Sequence, residues 1–455
     1  MRSKAKNSLD RAWRVNGMMA ILSILPPMGR ILVTLAILLA ALGHVHAQSG
    51  GGYSFDEIRR LVEADKYDEA RQRVSSGSGS KYNDVAQAFT EALILKHEGQ
   101  LLASVEKMQQ IVIAYPQFDR VRQELAHSYF LLGDSEHARH QFELLSASSR
   151  SPAFRSVYNN YIDAIDASRP WTLDGYVAFA PSTNVTNGVT TDTVLIAGVP
   201  WKPENRRQSG IGLSFGGSGT YRFDLANHMA LAFGGSLNGT KYRDREFDDL
   251  SGQAFSELYY RSADWRFGAG PVLERSLYAW DGLRSGYGIQ GSIQRRLGGG
   301  GDTVRLNGRL RYLDYDDQPT FSGVESTVNF RYQHVFSTSL LTSLGATGVF
   351  MNARERFNAY ESIRPYVEIN SDLPFGLLGS FSAGYEFRGY DANFSTLGKH
   401  RADRQLDLTV DITLRNLGYK GIAPQLEYRY LANRSNVDLY DYDSHNFGLF
   451  LTKKY

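Results

Sequence analysis

From Leu406 to Arg415 apolar and polar residues take turns one by one. Leu406, Leu408, Val410, Ile412 and Leu414 fall on one face of an extended strand. Asp407, Thr409, Asp411, Thr413 and Arg415 fall on the other. The same alternation sets Val304, Leu306, Leu310 and Tyr312 against Arg305, Asn307, Arg309 and Arg311. It also sets Ile422, Leu426, Tyr428 and Tyr430 against Gln425, Glu427 and Arg429. Fourteen strand-length segments begin near 171, 209, 228, 250, 264, 283, 302, 322, 338, 356, 376, 401, 422 and 443. The connections over 183–208, 243–249, 314–320, 391–400 and 434–442 are long or polar. Those over 224–227, 262–264, 298–301 and at Ser337 are tight. Residues 193–200 are strand-like too, and read either as an extra strand or as part of the first long connection.

Alternation fits a soluble sandwich as well as a membrane barrel. The one hides its apolar face in a core; the other turns it to lipid and its charges to a lumen. Long connections at one end and short turns at the other favour the barrel. The chain also finishes on an amphipathic strand. Phe447, Leu449 and Leu451 alternate with Gly448, Phe450 and Thr452, and the last residue is the aromatic Tyr455. Closing such a strand on the first one removes the edge that lipid cannot hydrogen-bond. Phe447, Leu449, Leu451 and Tyr455 are thus the candidate barrel-assembly signal. An even strand count leaves both ends of the barrel, and whatever precedes it, on the short-turn side.

The period changes upstream of Pro170. Residues 53–167 are rich in Ala, Leu, Glu, Gln and Arg, whereas 171–455 are rich in Gly, Tyr, Phe, Ser and Thr. In the first part Asp65-Lys66-Tyr67, Gly99-Gln100-Leu101 and Gly133-Asp134-Ser135 recur every 34 residues. That is the tetratricopeptide (TPR) period. Ala70, Ser104 and Ala138 keep the same register, where two helices approach closely. Val74, Met108 and Phe142 follow them, and Ile58, Ala92 and Ala126 precede them. The serine–glycine run from Ser75 to Ser80 shortens the first repeat, and a helix over 152–167 caps the stack. Stacks of this kind offer a concave surface to a protein segment.

Arg2, Lys4, Lys6, Arg11 and Arg14 precede an apolar run from Ile31 to Leu42 and the small residues around Ala47. Residues 1–47 read as a signal peptide, with translation starting at Met1 or Met28. Without it the chain holds 44 basic and 47 acidic residues, a net charge of −3, which gives no case for a nucleic-acid partner. There are no cysteines, so thiol chemistry and disulfides are excluded. No Ser/His/Asp set has catalytic spacing. His137 and His140 lie at i, i+3 on one helix without a third ligand, and read as a solvated helix face. Gly298-Gly299-Gly300-Gly301 lacks the Lys-Ser/Thr of a phosphate loop and reads as a turn. No enzyme, metal or cofactor is expected. Arg305, Arg309, Arg311, Asp407, Asp411, Glu427 and Arg429 are the candidate lumen-lining charges, either as a structural ion-pair network or as the lining of a conduit.

The stretch from Ile422 through Asn433-Arg434-Ser435-Asn436 and Tyr440-Asp441-Tyr442 to Tyr455 resembles the C-terminus of the surface lipoprotein assembly modulator (Slam) family. Trp171 to Asn187, with Pro181-Ser182-Thr183-Asn184, and Gly210-Ile211-Gly212 resemble the first two strands of its barrel. The chain departs from that pattern in ending on Tyr where Phe is usual, and in Lys453 on the outward face. The resemblance implies an α plus membrane-β chain: N-terminal TPR-like α-helical repeats followed by a 14-stranded antiparallel transmembrane β-barrel. It implies 1–47 as signal peptide, 53–167 as a periplasmic helical domain and 171–455 as an outer-membrane barrel. The expected role is delivery of a cargo lipoprotein or related secreted protein across the outer membrane, the type XI secretion route. Its expected partners are the cargo, a periplasmic chaperone, the barrel-assembly machinery and outer-membrane lipid. The competing readings are exopolysaccharide export, which usually carries many more repeats, and a passive porin with a partner-binding arm.

Overall fold

The computed structural model of the 455-residue chain describes residues 54–76, 83–149, 151–168, 170–196, 199–226, 228–262, 264–297, 302–394, 398–417 and 422–452. The signal-peptide reading, the four-glycine turn, most of the 75–80 run and Tyr455 fall outside them.

Among the described residues seven helices come first: α1 (Phe55–Glu63), α2 (Tyr67–Ser75), α3 (Asn83–His97), α4 (Leu101–Ala114), α5 (Asp119–Leu131), α6 (Ser135–Ser148) and α7 (Pro152–Ser168). The 34-residue register has a backbone cause. Asp65, Gly99 and Gly133 are left-handed, with φ of 57°, 80° and 74°. Each ends a helix, and the next residue's N–H reaches back five residues: Lys66 to Leu61, Gln100 to Leu95 and Asp134 to Tyr129, at 2.8 to 2.9 Å. This closure turns the chain sharply and satisfies carbonyls that the helix end leaves open. Each turn returns a second helix against the first. Ala70, Ser104 and Ala138 are all 0 % exposed, as the close crossing requires. Ser104 keeps its hydroxyl there by donating to the Ala92 carbonyl at 2.7 Å. Phe89, Met108, Leu125, Phe142 and Tyr158 fill one continuous core beneath them.

Sixteen strands follow: β1 (Trp171–Ser182), β2 (Val194–Ile196), β3 (Val199–Trp201), β4 (Gly210–Asp224), β5 (Met229–Tyr242), β6 (Asp249–Arg261), β7 (Trp265–Tyr278), β8 (Asp281–Leu297), β9 (Asp302–Tyr315), β10 (Gly323–Ser337), β11 (Leu340–Ala353), β12 (Tyr360–Leu373), β13 (Leu377–Phe394), β14 (Lys399–Leu414), β15 (Ala423–Ser435) and β16 (Tyr442–Thr452). Fourteen form a closed antiparallel barrel in chain order, with β1 between β16 and β4. The other two, β2 and β3, pair only with each other. The strand-like stretch noted at 193–200 therefore lies on the first connection and adds no strand to the barrel.

One connection differs from expectation, and another, not singled out from the sequence, is unusually short for its end of the barrel. The 391–400 connection is mostly strand: β13 and β14 stay paired to Phe394 and Lys399, past an irregularity after Gly389. Between β7 and β8 the long-loop end holds only Ala279 and Trp280, both left-handed, with φ of 53° and 70°. A two-residue turn with both centres left-handed matches the twist of the flanking strands. Trp280 is held there by donating from its indole to Asp248 at 2.7 Å.

The barrel inverts the helical packing. Leu213, Phe233, Leu273, Ile289, Leu310, Phe330, Ile363, Leu426 and Leu449 all stand exposed on one face of the wall. No helix among the described residues is long and apolar enough to cross a membrane. A closed sheet satisfies every wall amide internally, so its apolar face can meet lipid.

Candidate functional site

Two features stand out: the polar face of the barrel wall, and the junction between helices and short turns. On the polar face, carboxylates and guanidiniums pair across strands two apart, and a glycine on the strand between makes room. Arg331 of β10 meets Glu368 of β12 at 2.9 Å. The strand between carries Gly345, in register with both Arg331 and Tyr366. A Cβ on Gly345 would stand 2.5 Å from the Tyr366 hydroxyl. Arg364 of β12 meets Asp407 of β14 at 3.6 Å, across Gly384 of β13. A Cβ there would lie 2.6 Å from the Arg364 Cζ. Glu274 of β7 pairs with Arg311 of β9 across β8, where Gly286 and Gly288 stand opposite them. The seam uses the same device: the Tyr176 and Phe450 rings are 5.6 Å apart, and Gly216 leaves the space that the Tyr176 ring occupies.

The charges singled out from the sequence fall into two separate groups. On β9, Arg311 pairs with Glu274 and Glu325. Arg305 donates to Gln294 at 3.0 Å and Arg309 to Gln290 at 3.2 Å. On β14 and β15, Arg429 pairs with Asp407 at 2.6 Å. Asp411 accepts from Gln425 at 3.2 Å and stands in register with Glu427. The partners Glu274, Glu325 and Arg364, and the separate pair Arg331–Glu368, were missed from sequence. Their strands are neighbours or next neighbours in the wall, which residue spacing along the chain does not report.

Of the proposed assembly signal, Phe447, Leu449 and Leu451 lie exposed on one face of β16. Leu449 and Leu451 are in register with Phe179 and Val177 of β1. Tyr455 lies outside the described residues.

The helical stack is fixed to the short-turn end of the barrel at two points, neither foreseen from sequence. At the first, the buried Asp166 of α7 gathers three arginines. Arg139 of α6 and Arg261 of β6 reach it at 2.7 Å each, and Arg222 of β4 at 3.7 Å. Arg222 also donates to the Asp166 carbonyl at 2.5 Å, and Arg261 pairs with Asp163. Burial by itself would raise the Asp166 carboxyl, but Arg139 and Arg261 outweigh it and hold the group below its ordinary range. At the second, Arg122 of α5 is 1 % exposed and meets Asp372 of β12 at 3.3 Å. Asp372 also receives Arg415 at 2.8 Å, while Thr338 donates to Asp119 of α5 at 2.7 Å.

The two histidines weighed as a metal pair have other roles. His137 hydrogen-bonds Asp134 at 2.8 Å and stacks on Tyr129. His140 is exposed on the same helix, as a solvated helix face would have it. Among the described residues no group of His, Cys, Asp and Glu could hold a metal ion.

Residues 171–455 match the family described as surface lipoprotein assembly modifier. The match takes in the whole barrel. The chain belongs to that family. It is similar to surface lipoprotein assembly modifier 1 of Haemophilus influenzae, 23 % identical over 81 % of this chain and 77 % of that one. It is also similar to the hemophilin secretion modulator of Acinetobacter baumannii, 23 % identical over 65 % of this chain and 58 % of that one. Among solved structures, Salmonella typhi OmpF aligns with a TM-score of 0.35 at 8 % identity, over 62 % of this chain and 97 % of that one. That likeness is too slight to carry an argument. Closed barrel and family together make this an outer-membrane protein of the Gram-negative cell.

Proposed function

We propose that this chain delivers a lipoprotein or a related secreted protein to the cell surface. The helical stack engages the cargo in the periplasm and passes it on through the barrel. The observation that carries the reading is a family barrel whose short-turn end holds a helical stack through the Asp166 and Asp372 ion pairs. A cargo held by the stack is then held at the barrel mouth. The relatives' names point to lipoprotein or hemophilin as the kind of cargo. The action is non-enzymatic: binding, positioning and passage. Residues 1–47 serve as the export signal, 53–167 form a TPR-like periplasmic domain, and 171–455 form the barrel. A periplasmic chaperone brings the cargo. Phe447, Leu449, Leu451 and Tyr455 present the last strand to the barrel-assembly machinery.

In this reading Arg305, Arg309, Arg311, Asp407, Asp411, Glu427 and Arg429 line the lumen. Surface exposure of a candidate cargo tests the proposal. Cells expressing the cargo with the full chain should yield it to added protease, and cells lacking the chain should not. Cargo equally exposed without the chain would overturn the role.

A further inference from the structure

The outward face of the wall carries charges as well as apolar residues, and one pair of them is unmatched. Near the long-connection rim, Lys241 of β5 meets Asp248, and Arg275 of β7 meets Asp316 at 2.6 Å. Arg404 of β14 and Arg434 of β15 form no ion pair with any described residue. They stand directly opposite each other in the β14–β15 register, and both are exposed. Arg434 donates only to backbone, to the Asn433 carbonyl at 3.1 Å and the Tyr442 carbonyl at 3.3 Å. The carboxylates close by are engaged. Asp403 holds Arg401 at 2.6 Å, Asp441 accepts from the Ser435 amide, and Asp443 meets Thr190 at 3.1 Å and Arg207 at 3.7 Å. Like charges at directly opposed positions weaken a sheet. Here the wall supplies no counter-charge.

Their place on the wall says what can supply it. The pairs that follow on the same face are Leu406 with Ala432 and Leu408 with Tyr430. On the other side of Arg404 stands Phe387 of β13, 48 % exposed. The two arginines thus lie on the lipid-facing side, just outside an apolar run. From Arg404 to Leu414, the far end of β14, the tilted strand climbs roughly 25 Å, the height of the apolar band in such barrels. The guanidiniums are therefore level with the headgroups at the long-connection end, which is the outer leaflet. In a Gram-negative cell that leaflet is built of lipopolysaccharide, whose lipid A carries phosphates. A guanidinium holds phosphate through two parallel N–H donors, while its stem lies along apolar surface.

We propose that Arg404 and Arg434 together bind a phosphate of the outer-leaflet glycolipid. The lipid anchors β14 and β15 beside β16, the strand that closes the barrel on β1. The proposal rests on the outer-membrane placement of the barrel and not on the export reading.

The test uses the full chain in detergent micelles, mixed with lipid A or with the same lipid stripped of its phosphates. Native mass spectrometry counts the lipid retained. The wild-type chain should retain the phosphorylated form about tenfold better, with the preference fading as salt is raised. Arg404→Gln with Arg434→Gln should abolish the preference. Arg404→Lys with Arg434→Lys should keep part of it, since the charge remains and the fork is lost. Lys241→Gln removes an outward cation already matched by Asp248 and should leave the preference unchanged. Heat-modifiable migration should report an intact barrel in every variant. Equal retention of the two lipids, or a glutamine variant that still discriminates with its barrel intact, would overturn the proposal. So would loss of the preference in Lys241→Gln, which would mean diffuse charge in place of a site. Inorganic phosphate at the lipid's concentration should not displace it, and displacement would overturn the assignment to a lipid.

Discussion

The helical stack and the barrel apply one rule with opposite signs. In the stack, Ile58, Ala92 and Ala126 recur 34 residues apart and are all 0 % exposed, with polar residues outside. In the barrel, Leu273, Ile289 and Leu451 are more than half exposed, and the charges sit on the opposite face. Both regions satisfy their backbone locally, one within helices and the other around a closed ring. The solvent decides which face carries the apolar residues. Periodicity locates the elements; the sign of the packing comes from the compartment.

Truncating the core should separate the regions most sharply. Phe89→Ala empties a fully buried site against Phe55 and should cost the stack about 3–5 kcal/mol. The stack should become sensitive to protease while the barrel keeps its heat-modifiable migration. Loss of both together would mean that the barrel depends on the stack. Leu449→Arg should do the reverse. A cation on the lipid face costs about 2–4 kcal/mol near mid-bilayer, so the outer-membrane yield should fall.

A smaller effect is expected at the junction. Asp166→Asn removes the charge that gathers Arg139, Arg222 and Arg261, and should weaken docking by about 1–3 kcal/mol, read as faster deuterium exchange in α7. The wild-type carboxyl sits below its ordinary range. Its contribution is therefore complete above the unfolded value of about 4 and is lost only as pH falls through the lower folded value. After correction for the intrinsic exchange rate, protection in α7 should then be unchanged between pH 8 and 5, and a loss of protection already at pH 6 would point to a different latch. The smallest change has the opposite sign. Asp65 occupies the left-handed site where the later repeats carry glycine. Asp65→Gly should stabilise the stack by up to about 1 kcal/mol in thermal melts, and a lowered melting temperature would reject strain at that turn.

These regions were unequally legible in the sequence. Strand starts could be read because alternation is strict wherever one face meets lipid. The outer end of β13 was missed because Asp391, Ala392 and Asn393 lie past the region where alternation is required. The Ala279–Trp280 turn has neither the glycine nor the asparagine that marks such turns. In the stack, Gly99 and Gly133 announced their turns, and Asp65 was found only by its register. A minority of the polar-face charges could be listed, namely Arg305, Arg309, Arg311, Asp407, Asp411, Glu427 and Arg429. Its partners could not, because a bridge such as Arg331–Glu368 joins residues 37 apart along the chain. Asp166 was invisible for the same reason: its arginines come from α6, β4 and β6.

That last arrangement bears on the order of assembly. The stack is made first, and its Asp166 meets Arg139 without help from the barrel. Arg222 and Arg261 belong to strands two apart, and they face one carboxylate only after β5 has paired with both neighbours. Until then this one of the two anchors is incomplete. The Asp166 cluster thus completes itself only beneath a wall whose β4, β5 and β6 are already in register.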